Sequence, residues 1–162
     1  MAETADTPGV IAPPPLIALA AVLVGVALDW LAPAYLLTLL LTMTERIVIG
    51  LILIAAGCAL PIAARRMFIS LGTHVNPFKP ASALATTGVY AYVRNPMYVG
   101  LGLLVAGIGI ALASDWTLVM LVAAALIIHV GVVKREERYL MAKFGDAYQQ
   151  YMQTVPRYGV PF

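Results

Sequence analysis

Four stretches of this chain run without a charged residue for a length that can cross, or nearly cross, a bilayer: about Pro15 to Leu28, Ile47 to Ala64, Met97 to Ala113 and Thr117 to Val133. A hydrocarbon core roughly 30 Å thick takes about 17 to 25 apolar residues per helical crossing. Lipid offers no partner for backbone N–H and C=O groups, so each crossing must be a helix. With 11% charged residues and a mean hydropathy of +0.91, water is not the main solvent of this chain. The expected architecture is all-α: a polytopic membrane helix bundle of about four transmembrane helices, with a cytoplasmic loop and a C-terminal interfacial amphipathic helix. A single membrane domain over 1–162 is expected, with its N-terminal spans ending near residue 68.

The first span stops at Asp29, followed by Trp30 and Pro33 as interface and breaker signals, and it begins at Pro13–Pro15 or earlier, near Val10. Met1 to Pro8 holds Glu3 and Asp6 but no basic residue, unlike a secretory signal, so the first span is expected to be retained. Residues 33–45 are too few to cross and are expected to be interfacial, re-entrant or a helical extension. Cys58 lies in an apolar run and reads as packing. An even number of spans places Arg65, Arg66, Lys79, Arg94, Lys134, Arg135, Arg138, Lys143 and Arg157 on one face, with only Arg46 opposite. Basic residues stay cytoplasmic during insertion, so both termini are expected there, with a bacterial inner membrane as the location.

Two segments on the basic face are too polar to span. Arg65 to Asn95 contains Gly72, Thr73, His74, Asn76, Pro77, Tyr90 and Arg94; the other follows Lys134, where Tyr139, Leu140, Phe144, Tyr148 and Tyr151 among charges suggest a surface helix over Glu136 to Met152. The sharpest local signal is Thr87-Gly88-Val89-Tyr90-Ala91-Tyr92-Val93-Arg94-Asn95-Pro96-Met97-Tyr98-Val99-Gly100, leading into the third span. Pro96 suits a first helical turn, and it fixes Arg94 beside free N–H groups that favour an anion such as a carboxylate. Arg94 reads equally well as one more cytoplasmic anchor. Gly100 with Gly107, and Gly102 with Gly109, each fall near one face of the third span, which suits close helix approach more than a ligand groove.

The fourth span ends with His129, Lys134, Arg135, Glu136, Glu137, Arg138 and Leu140. An ionisable His129 within a span is a functional candidate; the plain alternative is a neutral imidazole bonded to a neighbouring helix. Helical spacing brings one of the two glutamates onto the face of His129, while surface ion pairing accounts for the other. Arg157, after Pro156, is either an anchor or a ligand contact. One Cys and two His make a structural zinc site implausible, no glycine-rich nucleotide fingerprint follows a strand, and the basic residues are too few for a nucleic-acid surface.

In this order, T-G-V-Y-A-Y-V-R-N-P-M-Y-V-G, a glycine-rich span, a further span, R-E-E-R-Y-L and F-G-D-A-Y-Q-Q-Y, the chain resembles the isoprenylcysteine carboxyl methyltransferase family and the related phospholipid N-methyltransferases over roughly Gly72 to Tyr158. The resemblance implies a catalytic region over 69–162, S-adenosyl-L-methionine as cofactor and a lipophilic methyl acceptor: an isoprenylcysteine carboxylate, a phospholipid amine or another lipid. By carry-over of the Arg-His-Pro-x-Tyr-x-Gly and Glu-Glu-x-x-Leu motifs, it implies cofactor contacts from Arg94, Asn95, Pro96, Tyr98, Gly100, Glu136, Glu137 and Leu140. Asn95 stands where the family usually has histidine, which leaves a hydrogen bond but no proton transfer. Tyr90 or Tyr98 is expected to face the sulfonium, and His129 joins the cofactor set. His129, Glu137 and Arg157 are the candidate catalytic residues, the first two as bases should the acceptor be an amine or thiol. The competing expectations are an NADPH-dependent membrane reductase and a non-catalytic membrane subunit or small transporter.

Overall fold

The computed structural model describes residues 7–72 and 80–159, and every regular element among them is helical. Helix α1 (Pro14–Leu31) starts on prolines, whose missing N–H groups cost nothing in a first turn. Helix α2 (Leu36–Leu40) is a short turn whose N–H groups at Leu36 and Leu37 donate to the Asp115 carboxylate at 2.9 and 3.0 Å. Helix α3 (Met43–Ser70) opens on a reciprocal cap: Thr42 Oγ1 accepts from the Glu45 N–H at 3.3 Å, and Glu45 Oε2 accepts from the Thr42 N–H at 2.8 Å. Residues 33–45 thus hold α2 and the start of α3, which begins earlier than hydropathy suggests because the cap, and not the first uncharged residue, sets the boundary.

After a short 3₁₀ turn (Gly88–Ala91) come α4 (Pro96–Ala111) and α5 (Asp115–Ile128), then a π-helical turn (His129–Val133) that passes directly into α6 (Lys134–Phe144), and finally α7 (Asp146–Thr154). Pro14–Leu31, Met43–Ser70 and the continuous Asp115–Phe144 are long and apolar enough to cross a membrane, and α4 is a shorter apolar helix. The chain is a membrane helix bundle. His74, Asn76, Pro77 and Lys79 lie outside the described residues.

Helices α3 and α4 run antiparallel on glycine contacts. A methyl group on Gly57 would lie 2.8 Å from the Gly100 carbonyl oxygen, and one on Gly107 2.7 Å from that of Gly50. Gly100 and Gly107 therefore share the α3 face, as their spacing suggests. Gly102 and Gly109 part company: Gly102 meets open space, while Gly109 faces Leu118 and Thr117 of α5. Helix α1 lies antiparallel to α5, with Gly25 against Thr117 at one end and Ile11 against Gly131 at the other. At the Thr117 end the polar groups cap one another. Ser114 Oγ donates to Asp29, the Thr117 N–H donates to Ser114 Oγ at 3.2 Å, and Trp116 Nε1 donates to the Ala32 carbonyl at 2.7 Å.

The C-terminal segment departs from a single surface helix. Helix α6 prolongs α5, and the chain breaks at Gly145, whose φ of +52° suits glycine, before α7 turns back. Tyr148, at 2% exposure, and Tyr151 are buried with Val155 against Leu140, Met141 and Phe144. These aromatics pack within the protein.

Candidate functional site

The loop before α4 is fixed by the C-terminal tail. The Arg94 N–H donates to the Pro156 carbonyl at 3.0 Å, Asn95 Nδ2 donates to the Arg157 carbonyl at 3.2 Å, and Tyr151 Oη donates to the Tyr90 carbonyl at 2.6 Å. Pro96 at the first turn of α4 is fully buried. Asn95 thus serves as a hydrogen-bond donor, the role left to it by the absence of histidine.

This folding brings Arg94, Glu137 and Arg157 together. Arg157 Nε and Nη2 donate to Glu137 Oε1 and Oε2 at 2.8 and 2.7 Å, a bidentate pair, and Arg94 Nη1 lies 3.1 Å from Glu137 Oε1. Only 6% of the Arg94 side chain and 12% of that of Glu137 are exposed. The hydrogen bonds to Glu137 push the Arg157 guanidinium further above its ordinary value, against the opposing effect of partial burial. Arg94 Nη1 is thus ion-paired with Glu137, while its buried Nε makes no hydrogen bond. Buried donors are rarely left so, and Nε has room for one further acceptor oxygen.

Beside this cluster, Tyr98 Oη donates to Glu136 Oε1 at 2.7 Å, and His129 Nδ1 shares a 2.8 Å hydrogen bond with Tyr158 Oη. Tyr98, His129 and Tyr158 form the polar end of a cavity of about 540 Å³ between α4 and α5, otherwise lined by apolar residues such as Leu101, Val105 and Leu121, with Gly102 giving it width. Arg94, Tyr98, His129, Glu136, Glu137 and Arg157, all six expected from the sequence, gather at this end of the bundle.

Tyr90, Gly100 and Leu140 sit in packing positions. Tyr90 is buried with Ala64 and Ala85, its ring centroid 5.2 Å from that of Phe68, and burial pushes its phenol up. Gly100 lies under Pro61 of α3, and Leu140 supports the aromatic cluster of α7. Tyr158 was not singled out by sequence reasoning. Its only signal is its place two residues beyond Pro156, and its position depends on a tail that folds back onto a distant loop. Among the described residues no group of His, Cys, Asp and Glu could hold a metal ion.

A family model described as phospholipid methyltransferase matches residues 45–147. A protein-S-isoprenylcysteine O-methyltransferase of Schizosaccharomyces pombe is 36% identical over 78 residues, covering 48% of this chain and 33% of that protein. A Xenopus laevis protein of the same name is 32% identical over 117 residues, covering 71% of this chain and 40% of that one. The alignments thus span 33% to 40% of the length of these relatives. No solved structure matches the chain. The matched region starts at Glu45 and so takes in α3, which the motifs left out, and it holds Arg94, Tyr98, His129, Glu136 and Glu137, while Arg157 and Tyr158 fall beyond it. On a match to well over half of its length, this chain belongs to the phospholipid methyltransferase family.

Proposed function

We infer that the chain is an integral membrane methyltransferase that uses S-adenosyl-L-methionine and acts on a lipophilic acceptor held in the cavity between α4 and α5. The observation that carries this reading is the buried Arg94 guanidinium, paired with Glu137 and with an Nε that makes no hydrogen bond, at the same end of the bundle as the Tyr98, His129 and Tyr158 end of an apolar cavity. A carboxylate is the group that such a donor takes. Glu136 and Glu137 offer oxygens to an ammonium or a ribose diol, and the Tyr98 ring offers a face to a cation. The donor set therefore fits the cofactor.

Bound there, S-adenosylmethionine supplies an electrophilic methyl group on a cationic sulfonium. The chain's own contribution is chiefly position, because an in-line attack needs the two reacting atoms near contact. Arg157 holds both oxygens of Glu137, which favours a positioning role for that carboxylate over proton transfer. His129, at the polar end of the cavity and bonded to Tyr158, is the group placed to hold a proton from an amine or thiol acceptor. A carboxylate acceptor needs no such step.

The site end of the bundle, which carries Arg65, Arg66, Lys134 and Arg138, faces the cytoplasm in this reading, with a bacterial inner membrane as the proposed location. Purified protein titrated with S-adenosylmethionine, and separately with NADPH, tests the assignment. Thermal stabilisation by the first and not the second is expected; none from S-adenosylmethionine at millimolar concentration overturns it. Lipid extracts incubated with methyl-labelled cofactor and resolved by mass then identify the acceptor.

A further inference from the structure

The helix from Asp115 to Phe144 is interrupted once, by the π turn at His129–Val133. An α-helix advances about 100° per residue, so residues seven apart nearly share a face. On an unbroken helix His129 would share its face with Glu136, seven residues on, and Glu137 would be turned aside. A π turn holds one residue more than an α turn. It therefore carries Glu137 onto the face of His129 and rotates Glu136 away.

The contacts follow this shifted register. The consecutive residues Arg157 and Tyr158 of the tail meet Glu137 and His129, while Glu136 bonds Tyr98. Two glutamates adjacent in sequence thus have different partners because of one local irregularity.

The irregularity is gripped from outside. The Ile11 N–H donates to the Gly131 carbonyl at 3.3 Å, within the π turn. Arg135 Nη1 donates to the Gly9 carbonyl at 2.8 Å, one turn further on. Val10, between them, is buried with Ile128, Val132 and Val133, the last two fully enclosed. The Ile11 side chain fills the space that a side chain at residue 131 would need: a methyl group on Gly131 would lie 2.7 Å from Ile11 Cγ1. Three successive residues thus contact the turn and the start of α6 that follows it.

We propose that Gly9–Ile11 is a positioning strap that holds this helix in its π turn, so that Glu137 and not Glu136 meets Arg94 and Arg157. What that arrangement serves rests on the methyltransferase reading; the mechanical claim does not. Val10 belongs to the cluster on which Tyr98 packs, and the strap's effect on Glu137 passes through the helix register.

A cross-linking test reads the register without any cofactor. In full-length protein carrying Cys58→Ala, the pair Arg157→Cys with Glu137→Cys is expected to be bridged by a short bifunctional methanethiosulfonate reagent at least about tenfold faster than Arg157→Cys with Glu136→Cys, since the long side chains of the ion pair hold their backbones further apart than a direct disulfide spans. Gly131→Ala, which expels Ile11, reverses that order, and adding Ile11→Ala to make room restores it. Ile11→Pro, which removes the donated N–H and leaves the helix sequence intact, reverses it too, and decides the matter should Gly131→Ala fail to fold. An order unchanged in Ile11→Pro overturns the proposal. With the strap native, Glu137→Gln weakens S-adenosylmethionine binding about tenfold or more and Glu136→Gln less; with Ile11→Pro the ranking inverts. If cross-linking reverses but no form binds S-adenosylmethionine, the methyltransferase reading falls and the strap stands.

Discussion

Two guanidinium groups share one carboxylate in this cluster, and Arg94 is almost wholly buried. Burying a charge is costly unless it is paired and hydrogen-bonded, so Glu137 has a structural as well as a binding task. Glu137→Gln is therefore expected to cost roughly 3 kcal/mol of stability, as removal of one partner from a buried ion pair does. The same change, and Arg94→Ala, should each weaken S-adenosylmethionine binding about tenfold or more, measured by calorimetry; unchanged affinity in both would move the site elsewhere. A pH effect belongs at this scale as well. Burial pushes the Tyr148 phenol from its ordinary value of 10.0 up to about 12. The folded state then holds a proton that the unfolded chain releases, so stability contributed below pH 10 is lost as pH rises towards 12. Absorbance titration of tyrosinate should show α7 loosening over that window, and Tyr148→Phe should remove its share. The motif around Arg94 and the glutamate pair were readable from residue types and order. Their partition was not: seven-residue spacing favours Glu136, and only the π turn hands the position to Glu137.

At the scale of elements, the α3–α4 seam and the α4–α5 cavity make opposite demands of the same glycine-rich helix. Gly57 and Gly107 let two backbones meet, and Gly102 keeps a space open. Gly57→Leu should wedge the seam apart and cost about 1 to 3 kcal/mol or prevent folding, read by thermal denaturation. Gly102→Ala meets nothing and should leave stability unchanged while reducing turnover of bulky acceptors. The four apolar stretches were legible because hydropathy reports a lipid environment directly. The capped start of α3, the break at Gly145 and the fold-back of α7 were less so, since each depends on one or two hydrogen bonds or a single backbone angle and not on a periodic pattern. Periodicity also passes unbroken through Val130 to Val133, which hides the π turn from any reading of apolar spacing.

For the whole molecule, antiparallel neighbours bring Thr7 and Gly159, the first and last described residues, to the same end as the Arg94 cluster. If that end is cytoplasmic, a membrane-impermeant maleimide on intact cells should label Thr38→Cys in α2 and spare Gln149→Cys in α7, both exposed positions, in a Cys58→Ala background. The reverse pattern would invert the topology. The two central helices also differ greatly in length. Helix α3, with 28 residues, measures about 42 Å, and α4, with 16, about 24 Å, against a hydrocarbon layer of roughly 30 Å. With Gly100 against Pro61, the first turn of α4 starts short of the end of α3 at Ser70. In the methyltransferase reading, a greasy acceptor anchored in the leaflet reaches this recessed end by sliding sideways, without being lifted into water.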